Sequence, residues 1–210
     1  MIRNIIFDFG GVLLDLRPDR CIEQFCQIGI PEIRQMLSLA HQQGVLDEME
    51  QGRLTLEQFC DAMRAAHPGS TATNRDIVLA YCSMADGVLA YRLDYVRQLS
   101  RQGYHVSALS NTNLVHWGYC RRYFIEAGYV PEELFEHLWL SCELGMVKPD
   151  PAIFRAILAD SGYDPAETLF VDDNEGNCQA ARALGIHAYC APIRTDWRED
   201  LTQALSGYQG

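Results

Sequence analysis

Three acids in this chain close apolar runs that would otherwise read as plain core strands. Asp8 ends "NIIFD", and Asp172 with Asp173 ends "TLFVDD". A buried carboxylate without a partner is strongly disfavoured, so each acid calls for a cation or a donor. Ser110 and Asn111 follow a third apolar run, "HVSALSN", and Lys148 stands in the loop sequence "GMVKPD". In open α/β sheets, ligands bind beyond the carboxyl ends of the strands, where these residues fall. Together they suit phosphoryl transfer. A carboxylate can attack phosphorus to form an acyl phosphate, splitting one hard displacement into two easier ones. It needs compensating charge to approach a dianionic phosphate, and Mg²⁺ held by hard oxygens is the usual source. Asp8 and Asp172 would supply those oxygens. Ser110 and the N–H of Asn111 would hold the transferring oxygens beside a helix N-terminus. Lys148 would place a compact positive charge near Asp8 and the phosphoryl group.

Each piece also has a plainer reading. Ser110 to Asn113 could simply cap the next helix, and Asp173 or Asn174 could do the same for another. Lys148 could be a solvated surface charge. It is the ordered set, on one sheet, that carries the argument.

The elements that must position these residues follow from periodicity. "RNIIFDF" reads as a buried strand stopped by Gly10 and Gly11. Between Pro18 and Ala85 the apolar spacing is helical. Ile22, Phe25 and Cys26 mark one face, Leu56, Phe59, Cys60 and Met63 a second, and Ile77, Tyr81 and Met84 a third. Thr55 and Gln58 form a capping box before the second. Beyond a helix face at Leu89, Leu93, Val96 and Leu99, strands are expected at 104–110, 137–141, 168–173 and 186–190. Helices are expected around 114–126, 151–161, 175–184 and 196–206. Such alternation implies an α/β fold, a parallel sheet with helices on both faces.

The formal net charge of −11 argues against nucleic acid or an anionic membrane surface as partner. No run approaches the roughly 20 apolar residues of a membrane span. The eight cysteines include no C-x-x-C and no zinc spacing, which fits reduced thiols in a cytoplasmic setting. Among the histidines no metal spacing occurs; His41 could face a cleft beside the helical segment.

The stretches "FDFGGVLLD", "LSNT", "VKPD" and "VDDNEGN" resemble the haloacid dehalogenase-like hydrolase superfamily along essentially the whole chain. Within it, the chain looks similar to a sugar-1-phosphate phosphatase-like subgroup with a helical cap after the first strand. The resemblance implies a Rossmann-like core formed by 1–15 and 87–210, with an inserted all-helical cap domain over 16–86. It implies a Mg²⁺-dependent aspartyl-phosphate mechanism, with Asp8, Asp172 and the backbone carbonyl of Gly10 as metal ligands. Asp173 would stand behind these ligands or reach the ion through water. Asn177 would orient the acidic loop, a surface asparagine being the equal reading.

One position departs from the family pattern. Most phosphatases of this kind carry an acid two residues after the nucleophile, and here that residue is Gly10. General acid–base help is typically worth about 10²–10⁴-fold. Without it, turnover should favour leaving groups already stable as anions. Glu48 and Glu50, in "DEMEQGRLT", are candidate substitutes, the alternative being solvated helix-end charges. The expectation is a cytoplasmic Mg²⁺-dependent phosphatase, monomer or homodimer, acting on a small phosphorylated metabolite, sugar phosphates among them. Two alternatives remain at this point: a phosphate-binding module without turnover, and a dehalogenase-type hydrolase.

Overall fold

The computed structural model describes residues 1–37 and 42–208, so His41 lies outside the described residues. Strand β1 (Asn4–Phe7) is buried at every position, as its branched and aromatic run requires. The chain then turns sharply. Gly11 has φ +72°, and a Cβ there would meet Asp173 Oδ2 at 2.2 Å. Only glycine lets this turn pass so close to the acidic loop.

Strand β2 (Leu14–Leu16) leads into a run of helices: α1 (Pro18–Gln27), α2 (Ile33–Met36), α3 (Val45–Glu50), α4 (Leu56–Ala66) and α5 (Asn74–Cys82). The Thr55–Gln58 capping box opens α4 as expected, and a second, Thr73–Asp76, opens α5. These helices bury Cys21, Phe25, Phe59, Met63 and Ile77 in a core of their own. Strand β3 (Ala85–Val88) then returns antiparallel to β2. This pair was not anticipated. Both strands are short and half-exposed, and their pairing spans the whole helical segment, so neither shows a period of its own.

The rest alternates: α6 (Ala90–Arg101), β4 (His105–Ser110), α7 (Leu114–Glu126), α8 (Pro131–Leu134), β5 (Leu138–Leu140), α9 (Ser141–Leu144), α10 (Pro151–Ser161), β6 (Thr168–Asp172), α11 (Glu175–Arg182), β7 (His187–Cys190) and α12 (Arg198–Gly207). The main sheet is parallel, in the order β5-β4-β1-β6-β7. Phe7 turns toward a cluster with Val96, Phe124 and Leu201, whereas Ile6 turns toward Leu109, Phe154 and Phe170. Helices α6, α7 and α12 therefore cover one face and α10 and α11 the other. Because β4 and β6 flank β1, the strand order reverses at the centre of the sheet. That topology brings the ends of all three strands together. No helix among the described residues is long and apolar enough to cross a membrane.

Arg92 ties the turn after β1 to the rest of the core. It is 1% exposed and donates to Val12 O at 3.0 Å, Asp15 Oδ1 at 3.2 Å and Thr195 O at 3.0 Å. Trp197 Nε1 donates to the same Val12 carbonyl at 3.2 Å. Arg92→Met removes the charge and takes the donor from Thr195 O and Asp15, while Val12 O keeps Trp197. Urea denaturation should show a loss of about 1–3 kcal/mol, the usual cost of leaving buried acceptors without their donor, since the Asp15 carboxylate can turn to water.

Candidate active site

Asp8, Ser110 and Asp172 stand at the carboxyl ends of three adjacent strands, and Lys148 reaches into the gap between them. Lys148 is 1% exposed, which overturns the surface-charge reading. Its ammonium donates to Asp8 Oδ1 at 2.9 Å, Asp172 Oδ2 at 2.7 Å and Leu109 O at 3.1 Å. All three of its hydrogens thus have acceptors. Burial would lower its pKa, but Asp172 and Asp8 outweigh burial and hold the group charged.

The loop carrying Lys148 is clamped by Asn111. The Asn111 amide donates to Lys148 O and accepts from Lys148 N, both at 2.9 Å. Its side chain is therefore spent on the lysine loop. Helix α7 is capped by Asn113, which accepts from Val115 N and His116 N. Ser110 is buried and lines the cavity above the strand ends. Likewise α11 is capped by Asn174, not by Asp173.

Asp172 is fully buried and accepts from Asn174 N at 2.8 Å and from Asn177 Nδ2 at 3.0 Å. Asn177 thus orients this carboxylate directly and is no surface residue. Asp173 faces the cavity instead. Burial pushes the Asp8 carboxyl up to about 7, with Lys148 opposing and Asp172 and Asp173 adding to the rise. Burial and the Asp172 charge push Asp173 up to about 6.

Carboxylate oxygens of Asp8, Asp172 and Asp173 lie within 4.8 Å of one another. At an effective dielectric near 20, two unit charges at that spacing repel by on the order of 3 kcal/mol. One ammonium does not neutralise three carboxylates. Asn177 Oδ1, buried beside them, has no hydrogen-bond partner. A set of hard oxygens with excess negative charge fits Mg²⁺ better than any soft metal.

The cavity over the acids has a volume of about 110 Å³. The sheet contributes Asp8, Gly10, Ser110 and Asp173 to its wall, and the helical segment contributes Glu50. Trp117, in the same wall, stacks on Phe9 with centroids 5.0 Å apart. Of the two acids offered by "DEMEQGRLT", Glu48 is exposed and Glu50 is buried against this space. Sequence reasoning missed Ser141, which has no motif to mark it. Its hydroxyl accepts from Thr112 N at 2.9 Å and has the carbonyls of Glu50, at 2.7 Å, and Thr112, at 2.9 Å, within donating reach. It joins the helical segment to the loop after β4.

The haloacid dehalogenase-like hydrolase family model matches residues 2–185, and the chain belongs to that family. A D-ribitol-5-phosphate phosphatase of Bacteroides thetaiotaomicron is 35% identical over 208 residues, spanning 98% of this chain and all of the relative. The crystal structure of a HAD family enzyme of the same organism, in complex with magnesium and inorganic phosphate, is similar at a TM-score of 0.90 and 37% identity. The match covers 96% of this chain and 99% of that one. A HAD-like family hydrolase of Porphyromonas gingivalis is similar at a TM-score of 0.89 and 34% identity, over 98% of both chains.

The raised acids have a consequence for stability. Asp8 and Glu50 bind their protons more tightly in the folded protein than in an unfolded chain. The stability this provides is complete at low pH and is lost as pH rises through about 7 for Asp8 and about 8 for Glu50. Buried His116, pushed down to about 4 by desolvation, acts in the opposite sense, but only up to its ordinary value of 6.5. Metal-free protein in EDTA should therefore lose melting temperature as pH rises from 6.5 to about 8. Scanning calorimetry should show Asp8→Asn flattening that slope and Mg²⁺ reversing it in the wild type.

Proposed function

We propose that this chain is a Mg²⁺-dependent phosphatase that hydrolyses a small phosphorylated metabolite through an aspartyl-phosphate intermediate. The observation that carries the reading is the buried Lys148 ammonium between Asp8 and Asp172, with Asp173 beside them, beneath one small cavity. Asp8, Asp172 and the Gly10 carbonyl would hold Mg²⁺, with Asp173 reaching it through water. The bound ion would neutralise the acids and the phosphoryl oxygens.

Asp8 attacks phosphorus through one carboxylate oxygen. Lys148 orients that carboxylate and opposes the burial that favours its protonated form, and it faces the charge that builds on the phosphoryl oxygens. Ser110 and the Asn111 N–H hold those oxygens at the mouth of α7. Asn177 fixes the Asp172 carboxylate. The helices between β2 and β3 serve as a cap that excludes water and selects substrate. The relative that acts on D-ribitol-5-phosphate makes sugar and sugar-alcohol phosphates the first class to test. Eight free thiols support a reducing, cytoplasmic setting.

The alternatives fare less well. A dehalogenase-type reaction through the same nucleophile has no use for three acids gathered around one point. A binding module would gain nothing from a nucleophilic carboxylate paired with a buried lysine.

With Mg²⁺, the purified protein should release phosphate from members of a sugar-phosphate panel, and EDTA should abolish that activity reversibly. Asp8→Asn should reduce kcat by at least about a thousandfold, the scale seen when a covalent nucleophile is lost. Phosphate release that survives Asp8→Asn would count against the reading.

A further inference from the structure

A phosphoryl transfer to Asp8 sets an oxyanion free, and a poor leaving group needs a proton at that moment. Gly10 carries none. Among the described residues, the other titratable groups around the cavity are few. His116 is pushed down to about 4 and is neutral, with its Nε2 3.6 Å from Cys120 Sγ. The hydrogens of Lys148 are spent on Asp8, Asp172 and Leu109 O. Asp8 is the nucleophile, and Asp173 belongs to the acid cluster. Glu50 remains.

We propose that Glu50, delivered by the helical segment, is the general acid–base residue of this site, standing in for the acid that Gly10 lacks. This rests on the phosphatase reading above. Glu50 is the last residue of α3, is buried, and lines the same cavity as Asp8 and Gly10. Its main chain is fixed to the core: Ser141 Oγ lies 2.7 Å from Glu50 O. Two residues on, Gly52 has φ +67° and packs so closely that a Cβ would lie 2.2 Å from Cys142 O. The turn is thus pressed against the sheet side. At Gly10, a Cβ would come within 2.8 Å of Leu16 Cδ1, so Leu16 occupies the space a side chain there would enter.

The surroundings keep Glu50 protonated at neutral pH. Burial pushes it up to about 8, Asp47 on its own helix and Asp8 add to the rise, and Lys148 opposes it. From α5, the Tyr81 phenol is pushed well up by burial and by Glu50 itself, and stays neutral. His116 of α7 is neutral as well.

In the first step an Asp8 oxygen bonds to phosphorus and the bond from phosphorus to the leaving oxygen breaks. The bonding pair departs with that oxygen, which takes the Glu50 proton and leaves as an alcohol. In the second step the Glu50 carboxylate takes a proton from water as the water oxygen bonds to phosphorus. The bond between phosphorus and Asp8 breaks, its electron pair returns to the carboxylate, phosphate leaves, and Glu50 is again protonated. Preference for stable-anion leaving groups would then no longer bind this enzyme.

The test compares wild type and Glu50→Gln, with Mg²⁺, on ribitol 5-phosphate (an alkyl phosphate) and 4-nitrophenyl phosphate (an aryl phosphate). For the alkyl substrate, kcat/KM should fall by about 10²–10⁴-fold. For the aryl substrate, kcat/KM should hold, while kcat falls and a burst of nitrophenolate marks accumulated phospho-Asp8. Independently of any variant, the wild-type alkyl kcat/KM should decline above pH about 8, where Glu50 loses its proton. Glu50→Gln should lack that limb, and adding Gly10→Asp with Leu16→Ala should restore part of the alkyl activity. Equal losses on both substrates, or an undiminished alkyl rate, would overturn the role of Glu50. Wild-type protein inactive on both would instead overturn the phosphatase reading beneath it.

Discussion

Everything at the carboxyl edge of the sheet is organised around one buried ammonium. Lys148 can sit there only because Asp8, Asp172 and the Leu109 carbonyl take its three hydrogens. A buried lysine without such partners would lose its proton or leave the core. Removing either acid would leave one hydrogen of the buried ammonium without its acceptor, and breaking one side of a buried pair costs more than the pair contributes. The arrangement is nonetheless incomplete. Three carboxylates gather around a single positive charge, and the excess suits the site to a divalent cation.

The scaffold explains how these groups stay in place. β1 lies between β4 and β6, so residues far apart in sequence meet at adjacent strand ends. Arg92 and Trp197 hold the turn after β1 through the Val12 carbonyl, and Asn111 clamps the lysine loop by its backbone. Neither contact depends on the helical segment. That segment has its own core and joins the sheet through the short β2–β3 pair, the Ser141 contact, the Asn113 hydrogen bond to the Tyr81 hydroxyl and other packing against α7. The sheet side thus supplies Asp8, Ser110, Lys148 and Asp172, and the appended helical unit closes the cavity with Glu50.

Much of this was legible in the sequence because it depends on local pattern. The apolar runs ending at Asp8, Ser110 and Asp172 became central strands, and the helices at 114–126 and 151–161 have the bounds their spacing implies. Capping boxes and strand-ending acids are short-range signals with short-range causes. Features that arise from convergence were not legible. The complete burial of Lys148 between two acids shows only once β6, ending at Asp172, is set beside β1, whose end carries Asp8. The Asn111 clamp, the Ser141 link and the inward turn of Glu50 against the outward turn of Glu48 likewise need three-dimensional neighbours. The β2–β3 pair failed to register because a three-residue and a four-residue strand carry too little periodicity to be seen.

Asp8 and Asp172, held by one lysine, are expected to bind one divalent cation per chain. Isothermal titration of metal-free protein with Mg²⁺ tests it most directly, run on wild type, Asp8→Asn and Asp172→Asn. The account predicts a single site in the wild type, proton release on binding near neutral pH, and loss of that site in both variants. Unchanged Mg²⁺ affinity after both substitutions would contradict it.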